Sequence, residues 1–245
     1  NPDDHWSLDI DDVAAAIRPN TRVVSINFPH NPTGKILERE RFDALVALCR
    51  KHGIWLFSDE VYHSLGPSGT THLPQAADVY EKGLSLGVMS KAYGLPGLRI
   101  GWIACADRAL LQRMERYKHY LSICNAGPSE ALALIALKAR STILDGHRQR
   151  IDRNLATLDD FFARWPDRFQ WHRPDGACIA YPRYLGPEGV DAFATDLVEQ
   201  AGVLLLPASN YRSELTTTPT DRFRIGFGRA DCAEAIDALD RYLGK

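Results

Sequence analysis

Four short segments of the 245-residue chain gather side chains able to do polar chemistry. They are Asn31-Pro-Thr-Gly34, Asp59-Glu-Val-Tyr62, Ser90-Lys91 with Arg99 eight residues on, and Arg224 within RFRIGFGR. A lysine amine held near its target can act as nucleophile and base. A carboxylate can balance a buried cation, and the planar fork of arginine matches carboxylate and phosphate oxyanions. Each segment also has a plainer reading. Asn-Pro-Thr-Gly makes a good turn, Asp59 can cap a helix and Tyr62 can be a half-buried amphipathic ring. Lys91 can be a solvated surface charge, and Arg224 can sit in a structural salt bridge. Two placements argue for more. Lys91 lies in the Gly/Pro-rich stretch SKAYGLPGLRIGW between two apolar strands, and Arg99 opens the second of them. Arg222 and Arg224 alternate with Phe223 and Ile225, so one arginine of an apolar strand can face inward.

The elements that must position these residues follow from apolar spacing and breakers. Ser7 can cap a helix running to about Arg18, stopped by Pro19-Asn20. Buried strands are expected at Thr21–Phe28, Ile54–Ser58, Leu84–Met89 and Arg99–Cys105. A helix over Glu38–His52 carries Phe42, Leu45, Val46 and Cys49 at helical spacing and ends at Gly53. Strands with little alternation, separated by helices, imply a parallel sheet covered on both faces. Each of the four segments is then expected at a strand end or in the loop after it, where open α/β sheets bind ligands. Beyond Asp107 long helical patterns occupy about Asp107–Tyr120, Ser129–Asp145 and His147–Trp165. Strand-like pieces follow at Arg168–His172, Ala177–Tyr181, Val203–Leu206 and Arg222–Phe227. Helices are expected at Asp191–Ala201 and Asp231–Leu243. The second half reads as a smaller α+β domain, giving domains over 1–145 and 146–245 joined by a long helix near residue 145.

Composition narrows the function classes. The 29 Lys+Arg against 31 Asp+Glu give a net charge of −2, without the basic excess of a nucleic-acid surface. The apolar run Ala131–Leu137 is far short of the ~20 residues a membrane span needs, and no secretory leader opens the chain. The five cysteines, Cys49, Cys105, Cys124, Cys178 and Cys232, form no Cys-x-x-Cys pair. They read as buried single thiols of a reducing compartment rather than a metal site or disulfide framework. The chain opens on Asn1-Pro2 rather than on methionine.

Taken together and in order, NFPHNPTG, SDEVY, SKAYGLPGLRIGW and FRIGFG resemble the class I/II aminotransferases, the fold-type I pyridoxal-phosphate enzymes. The resemblance runs from about Leu8 to the C-terminus. It implies an α/β fold-type-I architecture: part of a large domain with a mainly parallel sheet, plus the small C-terminal α+β domain. It implies pyridoxal 5'-phosphate as cofactor and a Schiff base on Lys91, whose amine then shuttles a proton at the substrate Cα. Asp59 would contact the pyridine nitrogen, Tyr62 and Asn31 the phenolic oxygen, and Ser90 and Arg99 the phosphate. Arg224, with Asn31, would bind the substrate α-carboxylate. Catalytic roles thus fall to Lys91, Asp59 and Tyr62. Relatives often carry a hydroxyl residue three positions before the lysine, where this chain has Val88. The resemblance further implies an N-terminal portion outside this chain, small-molecule amino acid and 2-oxo acid substrates, a cytoplasmic location and a homodimer. The activity expected is transfer of an amino group between an L-amino acid and a 2-oxo acid. Lyases and cyclising enzymes share the same residues, and so does a non-catalytic cofactor-sensing regulator domain.

Overall fold

The computed structural model describes residues 5–244, so the Asn1-Pro2 opening lies outside the described residues. By contacts the chain forms two units. One comprises residues 1–30, 35–65 and 69–146; the other comprises 31–34, 66–68 and 147–245.

In the first unit α1 (Ile10–Ala16) precedes β1 (Val23–Asn27), and α2 (Arg39–His52) leads to β2 (Trp55–Asp59). A short α3 (Ala76–Val79) precedes β3 (Gly83–Val88), and β4 (Gly101–Cys105) follows. The strands form one sheet in the order β1-β2-β3-β4. β1 pairs with β2 and β2 with β3 in parallel, in a register that sets Asn27 beside Asp59 and Asp59 beside Leu86. The helix α2 forms where its apolar spacing demands, and Phe42, Leu45, Val46 and Cys49 are all buried. They pack with Leu56 and Tyr80, and with the partly buried Val24 and Ile26. Fully burying a leucine or phenylalanine such as Leu45, Leu56 or Phe42 contributes about 1.5–3 kcal/mol. Gly53 ends the helix at φ 65°, the left-handed conformation that suits glycine.

Three expectations are corrected here. The first helix is shorter than Ser7–Arg18: Asp9 caps it by accepting from the Asp11 N–H at 2.8 Å. The Ser7 hydroxyl instead donates to Glu38 Oε2 at 2.5 Å, a partner thirty-one residues away. The sheet is not wholly parallel, because β4 runs antiparallel to β3. Its connection holds only a 3-10 turn at Pro96–Leu98, whereas a parallel return needs a crossover, usually helical. Nor is the sheet fully covered within this chain: Val23, Trp102 and Ile103 are 51%, 39% and 38% exposed.

Three helices follow: α4 (Arg108–Leu121), α5 (Gly127–Lys138) and α6 (Arg140–Arg164). Asp107 caps α4 by accepting from the Leu110 N–H at 2.9 Å. The break expected after Asp145 lies instead at Ala139, and α6 continues through Gly146. A single glycine lowers helix stability by only about 1 kcal/mol and does not force an end.

The second unit contains β5 (Phe169–Gln170), β6 (Ile179–Ala180), β7 (Arg183–Tyr184), α7 (Val190–Ala201), β8 (Leu206–Pro207), β9 (Phe223–Gly226) and α8 (Cys232–Leu243). β5 pairs with β7, and β6-β9-β8 form a second antiparallel sheet. The strands are shorter than their apolar runs, and β7 has no counterpart in the sequence reading. The core is aromatic: the Phe169 ring lies 5.5–5.9 Å from those of Phe161, Phe162, Tyr184, Phe193 and Phe223. Of the five thiols only Cys49 and Cys232 are buried, and burial pushes both up to about 11. Cys124 is exposed, correcting the expectation of five buried thiols.

Candidate active site

Asp59 is the last residue of β2. Strand alternation buries its neighbours Ser58 and Glu60 on one face and leaves Asp59 partly exposed on the other. Its Oδ1 accepts from the Val61 N–H at 3.2 Å, which turns the chain out of the strand. Its carbonyl accepts from the Asn27 side-chain amide at 3.0 Å, across the β1–β2 register. Tyr62 follows in that turn and is only 5% exposed.

β2 and β3 are parallel neighbours, so the chain leaves both at the same end of the sheet. Lys91 therefore arrives beside Tyr62, its Nζ 5.4 Å from the ring centroid, while remaining exposed. The loop carrying it is anchored by Met89, fully buried against Ala133 and Ala136 of α5. Met89 donates its N–H to the Ile100 carbonyl at 3.0 Å and accepts from Leu95 at 3.0 Å. Gly94, at φ 65°, donates to the Lys91 carbonyl at 3.0 Å and closes the turn directly behind the lysine. Ser90 is partly buried. Arg99 does not open β4; it caps the 3-10 turn at φ 54°. It is exposed, and its Nη1 donates to the Pro96 carbonyl at 3.0 Å.

The second unit assembles the remaining two residues. Arg224, in β9, donates from Nη1 to Asn31 Oδ1 at 3.2 Å. Arg222 and Arg224 lie on the same side of the strand, opposite the buried Phe223, Ile225 and Phe227. The deeply buried arginine is Arg222, 6% exposed and donating to the Tyr181 carbonyl at 3.2 Å; Arg224 is partly exposed. Asn154 pins the chain beyond β9, donating to the carbonyls of Phe227 at 2.7 Å and Arg229 at 2.8 Å.

The Asn-Pro-Thr-Gly turn owes its place to Gly34. This residue sits at φ 71°, and a Cβ there would lie 2.5 Å from the Ile179 carbonyl oxygen and 2.5 Å from Pro174. Its own carbonyl accepts from the Gly176 N–H at 2.8 Å. Gly34→Ala is expected to cost at least about 2 kcal/mol, from left-handed strain and from overpacking. A thermal melt checks this, and a shift of at least about 4 °C is expected.

Lys91, Tyr62 and Asp59 are thus gathered at one sheet end, and Asn31 is joined to Arg224. The guanidinium of Arg99 bonds its own turn rather than Ser90. Two residues escaped the sequence reading. Asn27 carried a usable signal, a carboxamide closing an apolar strand. Glu60 carried none beyond its place next to Asp59.

Known proteins resemble this chain along nearly its whole length. The family described as aminotransferase class I and II matches residues 1–239. Capreomycidine synthase of Streptomyces vinaceus is 27% identical, over 99% of this chain and 61% of its own length. An aspartate aminotransferase of Geobacillus stearothermophilus is 26% identical, over 96% of this chain and 59% of its own. A pyridoxal-phosphate-dependent aminotransferase structure from Streptococcus suis 89-1591 superposes with a TM-score of 0.90 at 27% identity. It covers all of this chain and 63% of its own. The chain therefore spans about three-fifths of the length of these relatives. The α/β architecture with its mainly parallel sheet is that of the fold-type I enzymes. On the match of nearly its whole length, the chain belongs to the class I and II aminotransferase family.

Proposed function

We propose that the protein containing this chain is a pyridoxal-phosphate-dependent aminotransferase that moves an amino group between an L-amino acid and a 2-oxo acid. The observation that carries the reading is Lys91, an exposed amine over the buried Tyr62 ring at the strand end that bears Asp59. The donor set fits the cofactor: a primary amine, a carboxylate at a strand end, a buried phenol and a loop guanidinium. When bound, pyridoxal phosphate supplies an electron sink for the charge left at the substrate Cα.

In this reading Lys91 carries the cofactor and moves the proton at Cα. Asp59 offers its carboxylate to the pyridinium nitrogen, holding the positive charge there. The Tyr62 hydroxyl and the Asn31 amide donate to the phenolic oxygen, and Ser90 and Arg99 hold the phosphate. Arg224 grips the substrate α-carboxylate with its planar fork. We assign 1–145 to the cofactor-binding domain and 146–245 to the small domain, and the working form to a cytoplasmic homodimer.

The test mixes the full-length protein with an amino acid and a 2-oxo acid and follows new amino acid by chromatography. Stoichiometric appearance of the new pair supports transamination. Ammonia with pyruvate, or a cyclised product, would assign the chain to a different outcome of the same chemistry. Cyclisation is the second reading, favoured by the similarity to capreomycidine synthase.

A further inference from the structure

Glu60 is a buried carboxylate that the proposed chemistry does not use. It is 6% exposed and lies on the opposite face of the chain from Asp59. Its Oε1 accepts from the Ala76 N–H at 2.9 Å and from the Ser85 hydroxyl at 2.9 Å. Ser85 Oγ in turn accepts from the Ala77 N–H at 3.0 Å. Its own N–H donates to the Leu86 carbonyl at 3.1 Å, extending the β2–β3 ladder one residue past Asp59. Glu60 is therefore tied to β3 twice, by main chain and by side chain, and to the first turn of α3 once. β3 is the strand that runs into Ser90 and Lys91.

A surface glutamate could cap a helix equally well; burial needs another reason. A buried carboxylate is costly unless its partners repay it. Here burial pushes the carboxyl up from its ordinary value, opposed by the Ala76 N–H and the Ser85 and Ser58 hydroxyls. Its Oε2 has no hydrogen-bond partner among the described residues. An amide could take its place without losing a hydrogen bond to Oε1.

We propose that Glu60 is the positioning residue of the cofactor site, latching the Asp59–Tyr62 turn to β3 so that both side chains keep a fixed offset from Lys91. The offset matters because all three must meet one small rigid molecule, an assignment that rests on the proposed function. Loss of the latch frees the turn at Asp59 while the sheet below, held by its own ladder and core, stays folded.

The test has two arms on the full-length protein. Without cofactor, amide hydrogen exchange is followed in the peptide spanning residues 57–65. Glu60→Ala raises exchange there by about tenfold, the size expected when a buried amide and hydroxyl lose their acceptor. Glu60→Gln restores it, and Ser85→Ala, which removes one donor and serves if Glu60→Ala fails to fold, shows a smaller rise. With pyridoxal phosphate added, Glu60→Ala shifts the visible absorption maximum and weakens cofactor binding by about tenfold. Glu60→Gln retains the wild-type spectrum. Exchange unchanged within twofold in Glu60→Ala, or Glu60→Gln as impaired as Glu60→Ala, overturns the inference. Failure of the wild type to take up cofactor would count against the proposed function alone, since the exchange arm needs none.

Discussion

Lys91→Ala is expected to lower transamination by the full-length protein about 10⁴-fold or more, while leaving the fold intact. The size follows from what one amine does. On the proposed function it would hold the cofactor, which supplies an effective-molarity advantage, and would move the proton at Cα, a step worth roughly 10²–10⁴-fold. No neighbour can substitute. Arg99, in the same loop, offers a guanidinium rather than a primary amine, and the buried Tyr62 has no amine to offer. The fold cost is small because Lys91 is exposed and its structured contact is the Tyr62 ring at 5.4 Å. An exposed cation over a ring contributes about 0.5–1 kcal/mol. Initial rates measure the loss. Borohydride treatment followed by peptide mass analysis shows a pyridoxyl addition on Lys91 in the wild type and none in the variant. A variant within tenfold of the wild-type rate would remove Lys91 from the mechanism.

Arg224→Ala is expected to reduce kcat/KM by about 10–150-fold, corresponding to the 1.5–3 kcal/mol of a hydrogen bond to a charged group. Arg224→Lys should recover only part of this, because an ammonium offers a point charge where the guanidinium offers a fork. Part of the loss comes from Asn31, whose Oδ1 takes a hydrogen bond from Arg224 at 3.2 Å and loses that donor. A substrate amine without a carboxylate separates the effects. It should be poor with the wild type and no worse with Arg224→Ala. If the variant penalises both substrates equally, Arg224 supports the fold rather than the carboxylate.

The architecture and the chemistry-bearing segments were legible for the same reason. Both rest on local pattern: apolar spacing in α2, β-branched runs in the strands, a glycine that ends a helix at Gly53. What stayed hidden depends on partners distant in sequence. Ser7 looks like a cap, yet its hydroxyl meets Glu38, and Asp9 takes the role. The direction of β4 is not written in its apolar residues but in the lack of a crossover before it. Gly146 looks like a helix end, yet α6 passes through it, and only the backbone turn at Ala139 separates α5 from α6. Glu60 was invisible because its meaning lies in Ala76 and Ser85, which no motif links to it. Periodicity puts Arg222 and Arg224 on one side of the strand without saying which lies deeper.

The Asn-Pro-Thr-Gly turn belongs by its contacts with residues 147–245, although the chain on either side of it belongs with the other unit. Neither unit is thus a contiguous stretch of gene. A chimera joined at residue 146 would pair one parent's Asn31–Gly34 with the other parent's Pro174, Gly176 and Ile179, the neighbours that leave no room for a Cβ at Gly34. Such exchanges between relatives should succeed only when the short turn travels with the C-terminal half. Selection then acts on separated stretches of sequence as one heritable module, which any crossover between residues 34 and 147 divides.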